Sequence, residues 1–320
     1  MSSTKGLPEI QDIREAARRI APYAIRTPVF TSQQVNQRSE ARVYFKCENF
    51  QRVGAFKFRG ACNAVFSLSD KDASVGVATH SSGNHAQAVS LSARLRGIPA
   101  YIVMPDNAPK IKKQAVKNYG AEITYCEPTQ KAREKTLNVI LEKTGTVFIH
   151  PYDDSRIIAG QGTAAMELLE EVPDLDILLA PVGGGGLISG SVIAAKSMNS
   201  TITVIAAEPE EADDAYRSIK SGKRQEVHEP RTIADGLRTN LGSLPFEIIQ
   251  QYLDDIVTVS EESIVREMRF IWERMNLIIE PSSAVPVSAL FDGKLNTKGK
   301  KIGIILTGGN LDLDQLPWQS

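Results

Sequence analysis

A regular alternation of strands and helices is the feature of this sequence that most limits its possible folds. From about Val75, short apolar segments typical of buried strands alternate with amphipathic segments of helical length, and the last apolar segment is Lys301–Leu306. Strands separated by helices of this length form parallel sheets that helices cover on both faces. The sequence therefore predicts an α/β fold.

The 320-residue chain is long enough for two domains. One alternating block occupies residues 75–150, and the alternation then restarts near Ile157. No segment rich in proline, glycine or serine separates the two blocks, so we expect the N-terminal residues to pack with the second block. We predict a large domain formed by residues 1–70 and 151–320, and a small domain formed by residues 75–150.

Charge and composition exclude several classes of partner. Lysine and arginine number 37 and aspartate and glutamate 38, which gives a net charge of -1, so we predict no nucleic-acid partner and no membrane partner. No apolar run is long enough to span a bilayer, and the N-terminus lacks the apolar core of a signal peptide. Cys47, Cys62 and Cys126 are widely spaced and odd in number, which predicts reduced thiols and a cytoplasmic location.

The motif with the clearest chemical meaning is a run of four glycines between a predicted buried strand at 177–182 and a predicted helix. Glycine lets a backbone approach a ligand closely, and the N–H groups at a helix N-terminus bind phosphate well. A tight turn rarely needs four glycines. We therefore predict a phosphate site formed by Gly183, Gly184, Gly185 and Gly186.

Two nucleotide-binding motifs can be compared with this run. A Walker-type P-loop is excluded because Leu187 stands where that motif has lysine. A dinucleotide-binding fingerprint is nearly met by Gly184, Gly186 and Ser189, with Glu208 at the end of the next predicted strand. An NAD-dependent dehydrogenase is therefore an alternative.

Lys57 lies between two aromatic residues, Phe56 and Phe58, just before a helix predicted from Gly60 to Leu68. Apolar neighbours can desolvate a lysine, which lowers its pKa and lets the neutral amine form an imine or act as a base. The ordinary interpretation is a lysine at the edge of the core, with its stem on the rings and its ammonium group in water. The NAD alternative gives this lysine no role.

Two further predicted strand exits carry polar residues. Thr307 follows the last strand, at the strand end where ligands of open α/β sheets bind. Another turn joins a strand to a helix, and its short polar side chains exceed the number that a helix cap needs. With its N–H groups this turn is a candidate carboxylate site. It consists of Ser81, Ser82, Gly83, Asn84 and His85.

Together these features describe one kind of ligand. A phosphate site, a carboxylate site, a hydroxyl group and a reactive amine fit a phosphorylated aldehyde such as pyridoxal phosphate, acting on an amino acid. A module that binds a phosphorylated ligand without turnover is the non-enzymatic alternative.

Six motifs, in order over nearly the whole chain, resemble the serine racemase and serine/threonine dehydratase family. That resemblance implies a fold type II pyridoxal-phosphate enzyme, with two open, twisted, mostly parallel sheets flanked by helices and an active site between the domains. It also implies a homodimer and a small domain that closes on substrate. The motifs are Gly-Ala-Phe-Lys-Phe-Arg-Gly-Ala at 54–61, Ser-Ser-Gly-Asn-His-Ala-Gln-Ala at 81–88, the glycines at 183–186, Thr-Ile-Ala-Asp-Gly at 232–236, Ile-Glu-Pro-Ser at 279–282 and Gly-Gly-Asn-Leu-Asp at 308–312.

The resemblance implies roles for individual residues. Lys57 forms the imine with the cofactor and Phe56 packs against its ring. Asn84 bonds the phenolic oxygen, and Thr307 bonds the pyridine nitrogen where the family more often has serine. The phosphate is held by Gly183, Gly184, Gly185, Gly186 and the N–H of Leu187. The substrate is held by Ser81, Ser82, Gly83, Asn84 and His85.

The resemblance makes Ser82 the residue that separates two activities. Racemisation needs proton donors on both faces of the planar carbanion, and in this family Lys57 serves one face and Ser82 the other. Many threonine dehydratases have alanine at that position, so serine favours a serine racemase that also dehydrates serine to pyruvate and ammonia. The alternative is a dehydratase of L-threonine, L-serine or 3-hydroxyaspartate with little racemase activity.

The resemblance also implies a divalent metal site formed by the carboxylates of Glu208 and Asp214 and the carbonyl of Ala212. Oxygen ligands suit Mg²⁺, or Ca²⁺ or Mn²⁺. From the residues alone, an acidic helix start is the ordinary interpretation.

Animal racemases of the family bind ATP through a threonine, an asparagine and a lysine. This chain has Val53, Tyr152 and Asn276 at those positions, which argues against activation by ATP.

Overall fold

A computed structural model describes residues 6–81, 83–108, 110–227 and 229–318. This part of the chain contains ten strands: β1 (Val29–Phe30), β2 (Arg42–Cys47), β3 (Val77–His80), β4 (Ala100–Pro105), β5 (Glu122–Cys126), β6 (Val147–Phe148), β7 (Ile177–Pro181), β8 (Thr203–Pro209), β9 (Asp255–Val259) and β10 (Lys301–Leu306).

The same part of the chain forms α-helices before and between these strands. They are α1 (Ile10–Ile20), α2 (Gln33–Ser39), α3 (Lys57–Phe66), α4 (Asp70–Ser74), α5 (Asn84–Arg96), α6 (Lys110–Asn118), α7 (Gln130–Thr144), α8 (Ser155–Glu171), α9 (Gly186–Met198), α10 (Asp214–Ser221), α11 (Ser243–Tyr252), α12 (Glu261–Met275) and α13 (Pro281–Phe291).

Six strands form the larger sheet, in the order β1-β2-β10-β7-β8-β9. β1 runs antiparallel to β2, and all other neighbours are parallel. The register pairs Leu306 with Cys47 and Pro181 with Ala207. The carboxyl ends of β2, β10, β7 and β8 therefore lie along one edge, where ligands of such sheets bind.

The smaller sheet has four parallel strands in the order β5-β4-β3-β6. Its strands lie between Val77 and Phe148, whereas those of the larger sheet lie before Glu48 and after Asp176. This arrangement is compatible with the predicted division at residues 75 and 150, which stays a prediction.

The larger sheet is buried on both faces because alternate residues of each strand point to opposite sides. Leu178 and Ala180 pack with residues of α1, α8, α9 and α11. Leu179 and Ile205 face the other way and pack with α12 and α13. These two apolar layers explain why the central strands have almost uninterrupted apolar sequences.

α3 lies between the two sheets, packed against α5 and α8. Phe58 and Ala61 share an apolar cluster with Val77 and Ile102 of the smaller sheet. The helix begins at Lys57, not at Gly60 as predicted. α3, which carries Lys57, therefore contacts α8 beside the larger sheet and also residues of the smaller sheet.

Among the described residues, no helix is both long enough and apolar enough to cross a membrane.

Candidate active site

Backbone contacts hold the segment before Lys57 against the exit of β10. Ala55 and Gly308 form an isolated antiparallel bridge, and the N–H of Phe56 donates to the carbonyl of Thr307 at 2.9 Å. Two of the predicted site segments, which are distant in sequence, therefore lie side by side.

Lys57 is the first residue of α3. Its Nζ donates to the carbonyl of Pro151 at 2.9 Å and lies 5.2 Å from the centre of the Phe56 ring. Burial lowers the pKa of Lys57 to about 8 from an ordinary 10.5, and the carboxylate of Glu280 opposes this shift. A desolvated amine that loses its proton this readily suits a nucleophile or base better than a surface lysine.

Pyridoxal phosphate, the ligand that the sequence predicts, is expected to bond the ligand-free protein at a rate that rises with pH and reaches half its maximum near pH 8. The reason is that only the neutral amine of Lys57 attacks a carbonyl. Stopped-flow absorbance at a series of pH values and constant ionic strength measures this rate. A midpoint at the ordinary lysine value of 10.5 would contradict a desolvated Lys57.

The four glycines form a tight turn between β7 and α9. Gly185 has a left-handed backbone with φ +88°, and a Cβ added to Gly184 would lie 2.2 Å from Cγ of Tyr152. Among the described residues, none accepts a hydrogen bond from the N–H groups of residues 183–187. These groups lie at the N-terminus of a 13-residue helix, so the turn supplies the free donors that a phosphate needs.

The segment after β6 contacts both Lys57 and the glycine turn, and it is held by His150. Nδ1 of His150 accepts from the N–H of Tyr152 at 3.2 Å and of Asp153 at 2.8 Å. Burial lowers the pKa of His150 to about 4, which keeps Nδ1 available as an acceptor. The hydroxyl of Tyr152 accepts from Thr239 Oγ1 at 2.9 Å. Through Pro151 and Tyr152 this segment places the amine of Lys57 close to the glycine turn.

Asn84 begins α5, and its amide belongs to a network that sequence reasoning missed. Nδ2 of Asn84 donates to Oε1 and Oε2 of Glu280 at 3.0 and 3.1 Å, and Nδ2 of Asn310 donates to Oδ1 of Asn84 at 2.9 Å. Burial and then Asp235 raise the pKa of Glu280 to about 7, while the bond from Asn84 lowers it. The network fixes the direction of the Asn84 amide. Its signal in the sequence was the presence of Glu280 and Asn310 in the motifs at 279–282 and 308–312.

The rest of the predicted carboxylate turn is partly described. The N–H of Ser81 donates to the carbonyl of Val103 at 3.1 Å, and Ser81 Oγ accepts from the N–H of Gly83 at 3.2 Å. Ser82 lies outside the described residues. His85 is buried with Nε2 3.1 Å from the carbonyl of Ile149, and its Nδ1 has no partner among the described residues.

A charged pair lies beside this turn. Nζ of Lys112 is 2.5 Å from Oδ2 of Asp235, and a Cβ added to Gly83 would lie 3.9 Å from Nζ of Lys112. Burial lowers the pKa of His85 well below its ordinary value, and the positive charge of Lys57 lowers it further. His85 is therefore neutral, and because a carbonyl can only accept, its proton lies on Nε2, which leaves Nδ1 as a buried acceptor.

Thr307 is buried at the end of β10. Its Oγ1 lies 3.0 Å from Oγ of Ser283, and Ser283 also donates to the carbonyl of Gly308 at 2.7 Å. No charged side chain among the described residues bonds Thr307. A ring nitrogen bonded here would meet a neutral hydroxyl and not a carboxylate.

The predicted metal ligands lie at the exit of β8. Oε1 and Oε2 of Glu208 accept from the N–H groups of Ala215 and Tyr216 at 3.1 and 2.7 Å, and Oδ2 of Asp214 accepts from the N–H of Leu241 at 2.7 Å. Ala212 ends a short 3₁₀ turn between them.

Both carboxylates of the predicted metal site are buried without an ion pair among the described residues. Burial and then the charge of Asp214 raise the pKa of Glu208 well above its ordinary value, and burial raises the pKa of Asp214 to about 6. A cation would relieve this repulsion. The described residues contain no group of three or more His, Cys, Asp or Glu side chains placed to bind a metal, and the predicted set has two carboxylates and one carbonyl.

Comparison with protein families decides the class of the protein. The family model described as "Pyridoxal-phosphate dependent enzyme" matches residues 20–308. The chain belongs to the pyridoxal-phosphate dependent enzyme family. This membership confirms the predicted α/β fold class and favours pyridoxal phosphate over the NAD alternative.

The similar proteins include both a dehydratase and serine racemases. A β-hydroxyaspartate dehydratase of Paracoccus denitrificans (strain Pd 1222) is 49% identical over 98% of this chain and 99% of its own. A serine racemase of Dictyostelium discoideum is 48% identical over 96% of both chains. The solved structure of maize serine racemase has a TM-score of 0.95 and 45% identity, and the match covers 97% of this chain and 95% of that one. These matches confirm the resemblance to the serine racemase and dehydratase family.

The residues fit the cofactor of a pyridoxal-phosphate enzyme. The free N–H groups of residues 183–187 suit its phosphate, and the desolvated amine of Lys57 suits its aldehyde. Asn84, held by Glu280 and Asn310, and the neutral Thr307 are available for the ring substituents. The predicted packing of Phe56 on the ring stays a prediction.

Proposed function

We propose that this pyridoxal-phosphate enzyme racemises serine and also eliminates water from L-serine to give pyruvate and ammonia. The observation that carries the proposal is the placement of a half-buried, readily deprotonated Lys57 beside a glycine turn with free N–H groups. The serine at position 82 and the similarity to serine racemases favour racemisation within the family.

The bound cofactor supplies the electron sink that makes the Cα proton of an amino acid acidic. Lys57 takes this proton on one face of Cα, and Ser82 returns a proton on the other face. The Ser81 hydroxyl and the backbone N–H groups of the turn from Gly83 to His85 hold the substrate carboxylate. Departure of hydroxide from Cβ before reprotonation gives elimination, so one deprotonation step leads to both products.

A dehydratase of 3-hydroxyaspartate is the second candidate, because a β-hydroxyaspartate dehydratase is as similar to this chain as the serine racemases are. Both candidates use the same Lys57 and the same phosphate site. They differ in the side chain that the site accepts and in the fate of the Cα proton.

A chiral product assay over L-serine, D-serine, L-threonine and both threo-3-hydroxyaspartates separates the candidates. D-serine from L-serine, together with pyruvate, supports the proposal. Oxo acid from hydroxyaspartate without any D-amino acid supports the second candidate. Absence of both products from a protein loaded with pyridoxal phosphate would remove both.

We also propose that Glu208, Asp214 and the carbonyl of Ala212 hold Mg²⁺, or Ca²⁺ or Mn²⁺. Two buried carboxylates with raised pKa values support this. Mg²⁺ at about 100 times its Kd is expected to stabilise the protein by about 2.7 kcal/mol. Thermal unfolding with and without chelator measures this, and Glu208→Gln should lose the response. Glu210→Gln, an exposed neighbour, is the control that should keep it.

A homodimer is proposed on the same family grounds. Support comes from an exposed apolar group: the rings of Phe30 and Phe50 lie 6.1 Å apart, and Asn49, next to Phe50, donates to the carbonyl of the exposed Ile278 at 3.2 Å.

We propose a cytoplasmic location, supported by three free cysteines. We also propose that ATP does not activate the enzyme.

A further inference from the structure

A buried cluster of four charged side chains lies behind Lys57. The Arg59 guanidinium and the Glu48 carboxylate are fully buried, and the Lys46 side chain is 1% exposed. Glu167 completes the cluster with 14% exposure. Two positive and two negative charges cancel, so the cluster is neutral as a whole. The proposed function assigns no role to any of these four residues.

Arg59 is bonded on all three of its nitrogens. Nε and Nη2 donate to the two oxygens of Glu48 at 2.7 and 2.8 Å. Nη1 and Nη2 donate to the two oxygens of Glu167 at 2.7 and 2.8 Å. Thr163 Oγ1 and the carbonyl of Ile25 accept further bonds, each at 3.2 Å. Two bidentate pairs fix the plane of the guanidinium as well as its position.

The partners of Arg59 come from separate elements of the larger sheet's layer. Glu48 follows β2, Glu167 lies in α8, and Lys46 of β2 donates to Glu167 at 2.7 Å. Thr27, before β1, donates to Glu48 at 2.5 Å. Arg59 is thus the point at which the first turn of α3 is bonded to three other segments.

Arg59 lies two residues after Lys57 in that same turn. Side chains at i and i+2 of a helix point to nearly opposite sides, about 200° apart. The charge cluster therefore holds the side of the turn away from the ligand, while the Lys57 amine reaches Pro151 on the other side. Gly60, one residue later, donates its N–H to Gln161 of α8 at 3.2 Å.

Stability alone explains this cluster poorly. Burying four charges has a large desolvation cost, and well-packed apolar side chains of similar volume are often as stable as a buried ion pair or more so. What apolar packing cannot supply is a fixed rotation of the helix, which two bidentate pairs in one plane provide.

We propose that Arg59 is a positioning residue for Lys57, and that its bonds to Glu48 and Glu167 set the rotation of the first turn of α3. The inference rests on the proposed role of Lys57. A lysine at position 59 keeps the positive charge but lacks the planar guanidinium group. It can bond only one of the two carboxylates, so the rotation of the turn is no longer fixed. A displacement of about 1 Å at a reacting group can lower a rate about a hundredfold.

Arg59→Lys is the variant that tests this proposal, with Arg38→Lys as the matched control. Arg38 also makes a bidentate pair with a fully buried carboxylate, Glu267, at 2.5 and 2.6 Å. It lies in α2 and packs over the ring of Phe291 at 3.7 Å, in the apolar layer on the other face of the larger sheet. Both variants are assayed well below their unfolding temperatures.

Arg59→Lys is expected to slow capture of pyridoxal phosphate by the cofactor-free protein at least tenfold, and to lower kcat at least tenfold with KM changed less than threefold. Arg38→Lys should lower the unfolding temperature without either change. Wild-type rates within twofold in folded Arg59→Lys would overturn the proposal and make the cluster a scaffold only.

If Arg59→Lys does not fold, Glu167→Gln carries the test. Glutamine keeps the shape of the side chain and removes the charge that pairs with both Arg59 and Lys46 at the more exposed end of the cluster. Slower capture with unchanged KM supports the proposal, and capture at the wild-type rate overturns it. A wild-type protein that captures no pyridoxal phosphate refutes the proposed function itself, which separates the two failures.

Discussion

Alanine in place of Lys57 is expected to lower turnover of serine by more than about a thousandfold and to abolish the visible absorbance band of lysine-bound pyridoxal phosphate. The amine is both the group that bonds the cofactor and the base that takes the Cα proton. We expect no replacement at Pro151 from Lys112, which lies near the predicted carboxylate turn, because it is paired with Asp235. Absorbance spectra and pyruvate release measure the two losses.

Two controls make the Lys57→Ala result specific. Lys196→Ala removes a half-buried lysine that pairs with Asp254 at 2.6 Å, away from the site, and should leave both signals unchanged. Small primary amines added to Lys57→Ala should restore part of the turnover if the defect is the missing amine. Full turnover and an unchanged band in Lys57→Ala would contradict the assignment.

The sequence predicted the parts of the site that are local. Four consecutive glycines before a predicted helix mark their own turn, and Lys57 is marked by its aromatic neighbours. The final strand was predicted at Lys301–Leu306, where the structure has β10. Periodic patterns and turn residues report short-range structure, and these features are short-range.

The features that sequence reasoning missed depend on long-range contacts. Glu280 meets Asn84 across 196 residues, and Arg59 meets Glu167 across 108. Glu280 stands within the motif at 279–282, but that motif does not say which residue it meets, and nothing in the pattern around Glu167 distinguishes it from a solvated glutamate. α3 begins early for the same reason: no side chain caps it, and the N–H of Phe56 is bonded instead by Thr307, from the far end of the chain.

Alanine at position 82 is expected to separate the two activities. A positioned acid or base contributes about 10²–10⁴-fold to a proton transfer, so Ser82→Ala should lower racemisation by at least about a hundredfold. Elimination from L-serine needs the proton removed only on the Lys57 face, so pyruvate release should change little. Chiral chromatography and a coupled pyruvate assay on the same samples measure the ratio.

Ser81→Ala is the matched control, because it removes the neighbouring hydroxyl and leaves Ser82 in place. Ser81 Oγ accepts the N–H of Gly83 at 3.2 Å, so its loss loosens the turn that holds the substrate carboxylate. That change should weaken both reactions together, mainly through KM, since both start from the same bound substrate. If Ser82→Ala lowered racemisation and elimination equally, Ser82 would act in substrate binding and not as the proton donor on one face of Cα. The ratio of the two products therefore tests the role of Ser82 independently of how well each variant binds serine.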